Sequence, residues 1–174
     1  YAVRALQFNS VVQDQKGLEV VHGNTLDKES LERAVEGVDA VCHLIRGSAG
    51  PGEDACEKWF NCCLRGAVNL LEACKGKPIR RLIVGSADNV FGHTQIHHHG
   101  PINERHPKHA ADNYYGLFKI AEEEISRQYC LEHGVPVVIT RFPMIWTKSL
   151  ISGNLAGWVD RSRQIIRRRL AYDG

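Results

Sequence analysis

Short apolar runs alternate with amphipathic stretches along the whole chain. Residues 2–6 and 18–21 read as strands, because their apolar residues stand in short, valine-containing runs. Asp27 occupies the place of a helix cap ahead of Leu31 and Ala34, and that helix is expected to run to Glu36 and end at Gly37. Residues 40–45 form a third expected strand, followed by a Gly/Pro-rich loop at 47–52. The spacing then predicts a long helix over 54–73, a strand over 81–84, a histidine-rich loop, and a helix over 112–133. A fifth strand is expected at 135–139, with Pro136 tolerable near its start, and a last helix at 155–170.

Strands alternating with helices, and strands that are nearly continuous in Val and Ile, argue for an α/β fold: a mainly parallel sheet with helices on both faces. The 174 residues are enough for one domain with a real core. With 43% hydrophobic and 24% charged residues the chain is excluded from the disordered and fibrous classes. Twenty-two basic against 20 acidic residues give no global signal for nucleic acid, and no apolar run approaches a membrane span. The one methionine is Met144 and the chain starts at Tyr1, so a piece of a longer protein is expected. Six cysteines, at 42, 56, 62, 63, 74 and 130, include no Cys-x-x-Cys pair; they read as reduced, mostly core-facing thiols of a cytosolic protein.

Tyr115 and Lys119 stand four apart on an expected helix, which puts both side chains on one face. A phenol titrates near pH 10, and a neighbouring ammonium favours the phenolate, so the pair is suited to proton transfer. The pair follows a series of stretches in a fixed order. These run from Leu18 through Asn24 and Thr25 to Asp27, from Gly37 to Leu44, and from Gly66 to Ala73. Arg81 to Gly92 precedes the pair and Arg141 to Trp146 follows it. Together they resemble the extended short-chain dehydrogenase/reductase family, the NAD-dependent epimerases and dehydratases, over nearly the whole chain.

That resemblance implies a Rossmann-like, doubly wound sheet and an NAD or NADP cofactor. It implies Tyr115 as acid/base and Lys119 as its tuner and the anchor of the nicotinamide ribose. Ser86 falls near the family's catalytic hydroxyl, although counting back from Gly92 puts that position at Ala87, and only a bulge would bring Ser86 into place. Asn24 and Thr25 fall where the family contacts adenine. Leu44, Ile45 and Arg46 fall where the cofactor passes the sheet, the last two bulkier or charged where the family has small residues. Phe142 and Pro143 belong to the motif at the nicotinamide end. The family's helix asparagine is replaced by Cys63, and its sugar-nucleotide asparagine by Met144.

Family members open with a strand and a glycine-rich turn that cradles the cofactor pyrophosphate. Residues 2–6, with no such turn after them, match the family's second strand, so the first unit is expected to be absent from this chain. Residues 1–150 then form a partial NAD(P)-binding domain, and 151–174 the start of a truncated substrate domain. The resemblance also implies a homodimer through the two long helices carrying Asn69 and Tyr115, and a small-molecule substrate bearing an alcohol or carbonyl, sugar-derived or otherwise.

Three further signals have plainer readings. The loop at 47–52 lacks the Lys-Ser/Thr ending of a phosphate loop. Six histidines, at 93, 97, 98, 99, 106 and 109, lack metal-ligand spacing, so no metal is expected. The arginines at 161, 163, 167, 168 and 169 lack the aromatic interleaving of a nucleic-acid surface. Two functions remain: a cytoplasmic NAD(P)-dependent oxidoreductase or epimerase/dehydratase, and a binding or scaffold relative that has lost the reaction.

Overall fold

A computed structural model of the chain describes residues 1–9, 15–45, 54–92, 100–109, 114–143 and 145. Five strands and four helices follow in order: β1 (Val3–Gln7), β2 (Leu18–His22), α1 (Lys28–Ala34), β3 (Ala40–His43), α2 (Ala55–Trp59), α3 (Gly66–Cys74), β4 (Arg81–Ala87), α4 (Tyr114–His133) and β5 (Val137–Phe142). Asp27 caps α1 by accepting from Glu29 N at 3.1 Å, as its place ahead of the apolar run requires. The far end of α1 is closed by Arg4, whose guanidinium donates to Glu36 O at 2.6 Å and Ala34 O at 3.2 Å. Asp54 caps α2 in the same way, accepting from Glu57 N at 3.0 Å.

Among the described residues all strand pairs are parallel, in two ladders, β1–β2 and β3–β4–β5. Among the described residues no strand pairing joins the two ladders, which leaves a break between them. One core spans the break: Leu31 and Val35 of α1, Leu70, Leu71 and Cys74 of α3, Leu82 and Val84 of β4, and Tyr129 of α4 are buried together, with Leu6 of β1 packed against them.

The elements expected within the described residues are present, with shifted ends. The predicted 54–73 helix is interrupted by a π-helical turn, Phe60–Arg65, where Gly66 N donates to Asn61 O five residues back. Strand β4 continues three residues past Val84, where Gly85, Ser86 and Ala87 pair with Thr140, Arg141 and Phe142 of β5, whereas β3 stops at His43. Strand β5 starts after Pro136 and reaches Phe142. Helices were expected on both faces of the sheet. Among the described residues they cover one face, and Val3, Cys42 and Val138 stand exposed on the other. Only Cys63 and Cys74 of the six cysteines are buried, which corrects the core-facing reading of the rest; all six are free thiols. The expected helix at 155–170, the 47–52 loop, the C-terminal arginines, Met144 and four of the loop histidines lie outside the described residues.

Candidate functional site

The helix-covered face carries alternate residues of each strand: Val41 and His43 of β3, Leu82, Val84 and Ser86 of β4, and Val137, Ile139 and Arg141 of β5. Each row is apolar at its start and polar at its carboxyl end. The polar tips meet a polar stripe on α4, where Gly116, Lys119, Glu122, Glu123, Ser126 and Tyr129 are the buried positions. Such a stripe is tolerated only if each charge meets a partner.

Lys119, 2% exposed, does so three times. Its ammonium donates to Gly85 O at 2.8 Å and, more weakly, to Ile45 O at 3.4 Å, and lies 2.7 Å from Glu122 Oε2. Glu122 turns its other oxygen to His43 Nε2, 3.0 Å away, with both side chains buried. Gly85 makes room for this meeting: a Cβ there would stand 2.8 Å from Leu44 Cδ2 and 3.3 Å from His43 O. Cys63 faces the same centre from the π-helical turn. Burial pushes its thiol up to about 12, against the pull of Lys119, so it is neither a thiolate nor a nucleophile near neutral pH.

Glu123 forms a second centre. It takes a two-pronged bond from Arg141, Nε to Oε1 and Nη2 to Oε2, both 2.8 Å, with Lys108 at 3.0 Å and Arg127 at 3.3 Å. Burial pushes its carboxyl up, but Arg141, Ser86 and Lys108 outweigh this and pull it down to about 2. Arg141 also donates to Glu104 O at 3.3 Å and lies over the Phe91 ring, while His109 N donates to Val90 O at 2.9 Å. This centre therefore docks the 100–109 loop against the end of β4.

Tyr115 and Lys119 lie one turn apart on α4, and the Trp59 ring packs against Tyr115 at a tilt of 46° with centroids 4.9 Å apart. Ser86 lies against Glu123, eight residues and roughly 12 Å along the helix from Tyr115. The β4–β5 register is one-to-one through Ser86↔Arg141 and Ala87↔Phe142, so no bulge turns Ser86 towards the phenol. Asn24 spends its side chain on Leu26 N at 3.0 Å, and buried Thr25 accepts from Asn69 Nδ2 at 2.9 Å. Leu44, Phe142 and Pro143 are exposed at the carboxyl ends of β3 and β5, Ile45 is half-buried, and Arg46 lies outside the described residues. Sequence reading missed His43, Glu122, Glu123 and Arg141 as site residues. Glu122 and Glu123 follow Lys119 by three and four positions, so a buried Lys119 implies buried carboxylates beside it. Among the described residues no group of three metal-ligating side chains converges.

A family model described as the NAD dependent epimerase/dehydratase family matches residues 1–149, most of the chain. The chain belongs to that family. It is 27% identical to a uronate dehydrogenase of Pseudomonas putida over 158 residues, 90% of this chain and 57% of that one. It is 27% identical to an L-arabinose 1-dehydrogenase (NAD(P)(+)) of Haloferax volcanii, covering 78% of this chain and 56% of that one. A short-chain dehydrogenase/reductase superfamily protein from Agrobacterium tumefaciens, solved with bound NAD, superposes with a TM-score of 0.70 at 23% identity, covering 90% of this chain and 50% of that one, which establishes the fold. The chain thus spans little more than half the length of these relatives.

The family's cofactor fits the strand ends observed here. In open α/β sheets ligands bind beyond the carboxyl ends of strands, where the strand order reverses. At that place the chain offers exposed Leu44, the Ile45 and Gly85 carbonyls, and a buried ammonium beneath them. No described helix is long and apolar enough to cross a membrane.

Proposed function

We propose that the protein containing this chain is a cytoplasmic NAD(P)-dependent oxidoreductase or epimerase/dehydratase acting on an alcohol or carbonyl carbon of a sugar-derived substrate. The observation that carries this reading is the Lys119 ammonium, buried at the carboxyl ends of β3 and β4 one helical turn from Tyr115. Lys119, with Leu44 and Ile45, would hold the nicotinamide-ribose end, and Asn24 and Thr25 the adenine end. When bound, the cofactor supplies a hydride donor or acceptor. Tyr115 gives or takes the hydroxyl proton of the substrate, and Lys119 steadies its phenolate. Trp59 shields one side of the phenol from water. Met144, where a sugar-nucleotide enzyme carries asparagine, favours free sugars or sugar acids over nucleotide-linked ones.

Incubating the full-length protein with NAD⁺ or NADP⁺ and a panel of uronates and aldoses tests this by nicotinamide absorbance. Tyr115→Phe should cut turnover about 10²–10⁴-fold with the fold intact. A folded wild type that binds neither cofactor would instead favour a binding or scaffold relative, a reading to which Ala87 and Cys63 lend support. We further propose a homodimer through α3 and α4, whose Val68, Tyr114 and Leu117 are exposed alongside Phe60 of the π-helical turn. No nucleic-acid or membrane partner is proposed.

A further inference from the structure

The ammonium of a lysine sits on a stem with many rotamers, so a lysine that serves a reaction has to be held. Three oxygens surround Lys119 Nζ: Gly85 O from β4, Ile45 O beyond β3, and Glu122 Oε2 from its own helix. Two are backbone carbonyls. Glu122 is the charged one, and at 2.7 Å it is also the nearest. The i,i+3 spacing lays its carboxylate beside the lysine stem. His43 Nε2 stands 3.0 Å from Glu122 Oε1, closing off the other end of that carboxylate against β3 without the alignment of a hydrogen bond. Cys63, pushed up to about 12 by burial, adds no charge at neutral pH. Glu123 is turned towards Arg141, Lys108 and Arg127.

We infer that Glu122 is a positioning residue, with His43 packed against its far oxygen, that holds the Lys119 ammonium at the strand ends where the nicotinamide ribose is bound. This rests on the proposed role of Lys119. It assigns Glu122 no contact with substrate or cofactor. It does predict that the chain His43–Glu122–Lys119 is read out in cofactor affinity and not in stability alone.

The test uses the full-length protein and the variants Glu122→Gln, Glu122→Asp and His43→Gln. Calorimetry of NAD⁺ binding should show about a tenfold loss for E122Q, which keeps shape but not charge. E122D, which restores the charge one methylene short, should recover part of the loss. H43Q should lose severalfold, and because it leaves the ion pair in place it keeps the test open if E122Q does not fold. Affinities equal to wild type in folded E122Q and H43Q, with only their melting points lowered, overturn the inference. A second readout needs no cofactor: the ¹⁵N-detected ammonium signal of Lys119, assigned by its loss in Lys119→Met, should be slow to exchange in the wild type and broadened in E122Q. If the wild type binds no nicotinamide cofactor, the oxidoreductase reading fails while this signal still decides the positioning role. An unchanged signal in E122Q overturns it.

Discussion

Glu122 and Glu123 are neighbours on α4, both without solvent exposure, yet they are treated in opposite ways. Glu122 points to β3 and balances one ammonium, with a histidine as its second contact. Glu123 points to β5 and gathers three cations, one of them through a two-pronged bond. The first arrangement leaves Lys119 with a single anionic partner among the described residues. The second over-compensates its carboxylate and fixes a loop. A single residue step along the helix thus separates a centre suited to chemistry from a centre suited to docking.

The largest effect should come from breaking the leaner pair. Lys119→Met leaves a fully buried carboxylate facing only His43, and should cost about 3–5 kcal/mol by urea denaturation. The double variant Lys119→Met/Glu122→Met removes both charges and should regain most of that loss. If the single variant costs no more than a surface substitution, Glu122 is not uncompensated by its loss, and the contrast with Glu123 disappears.

The richer centre should show itself through pH. The Glu123 carboxyl is held at about 2, below its ordinary 4.5, so the folded state binds its proton later than the unfolded state does. A depressed folded value contributes stability that is complete above the unfolded value and is lost as pH falls through about 4.5 towards 2. The expected loss is about 3 kcal/mol over that window. Glu123→Gln should flatten this part of the curve, leaving the weaker slope of exposed carboxyls such as Glu124, which Lys108 holds low. A Glu123→Gln curve as steep as the wild type would show that other groups set acid stability.

Much of the fold was legible because parallel strands rich in Val and Ile read as short apolar runs and capped helices announce their starts. Tyr115 and Lys119 were legible because one helical turn is a fixed spacing. The interior of α4 was not. Hydrophobic periodicity counts apolar positions, whereas four of the six buried positions on α4 are Lys119, Glu122, Glu123 and Ser126. Two carboxylates on a helix ordinarily mark its solvated face. What reverses that here is supplied from far along the chain, by His43 on β3 and Arg141 on β5, and only the register of the parallel strands brings those tips to one level. The π-helical turn was equally hidden, since nothing in the spacing of residues 60–65 distinguishes it from a continuous helix.

The smallest effect is expected where the distance is the same and the surroundings differ. Arg80 Nη2 stands 2.8 Å from Asp39 Oδ1, matching Arg141 Nη2 and Glu123, but both of its partners are 78% exposed. In water the attraction is screened, and holding two long side chains together costs entropy that offsets it. The backbone bond from Arg80 N to Asp39 O, also 2.8 Å, keeps the approach to β4 in place without the side chains. Asp39→Asn should therefore leave the urea midpoint where it is, and added salt should not separate the variant from the wild type. A loss comparable to that from breaking the Glu123 centre would mean that separation alone sets the worth of these pairs. The two glutamates of α4 would then differ only in how many cations they count, and burial would no longer set the worth of either centre.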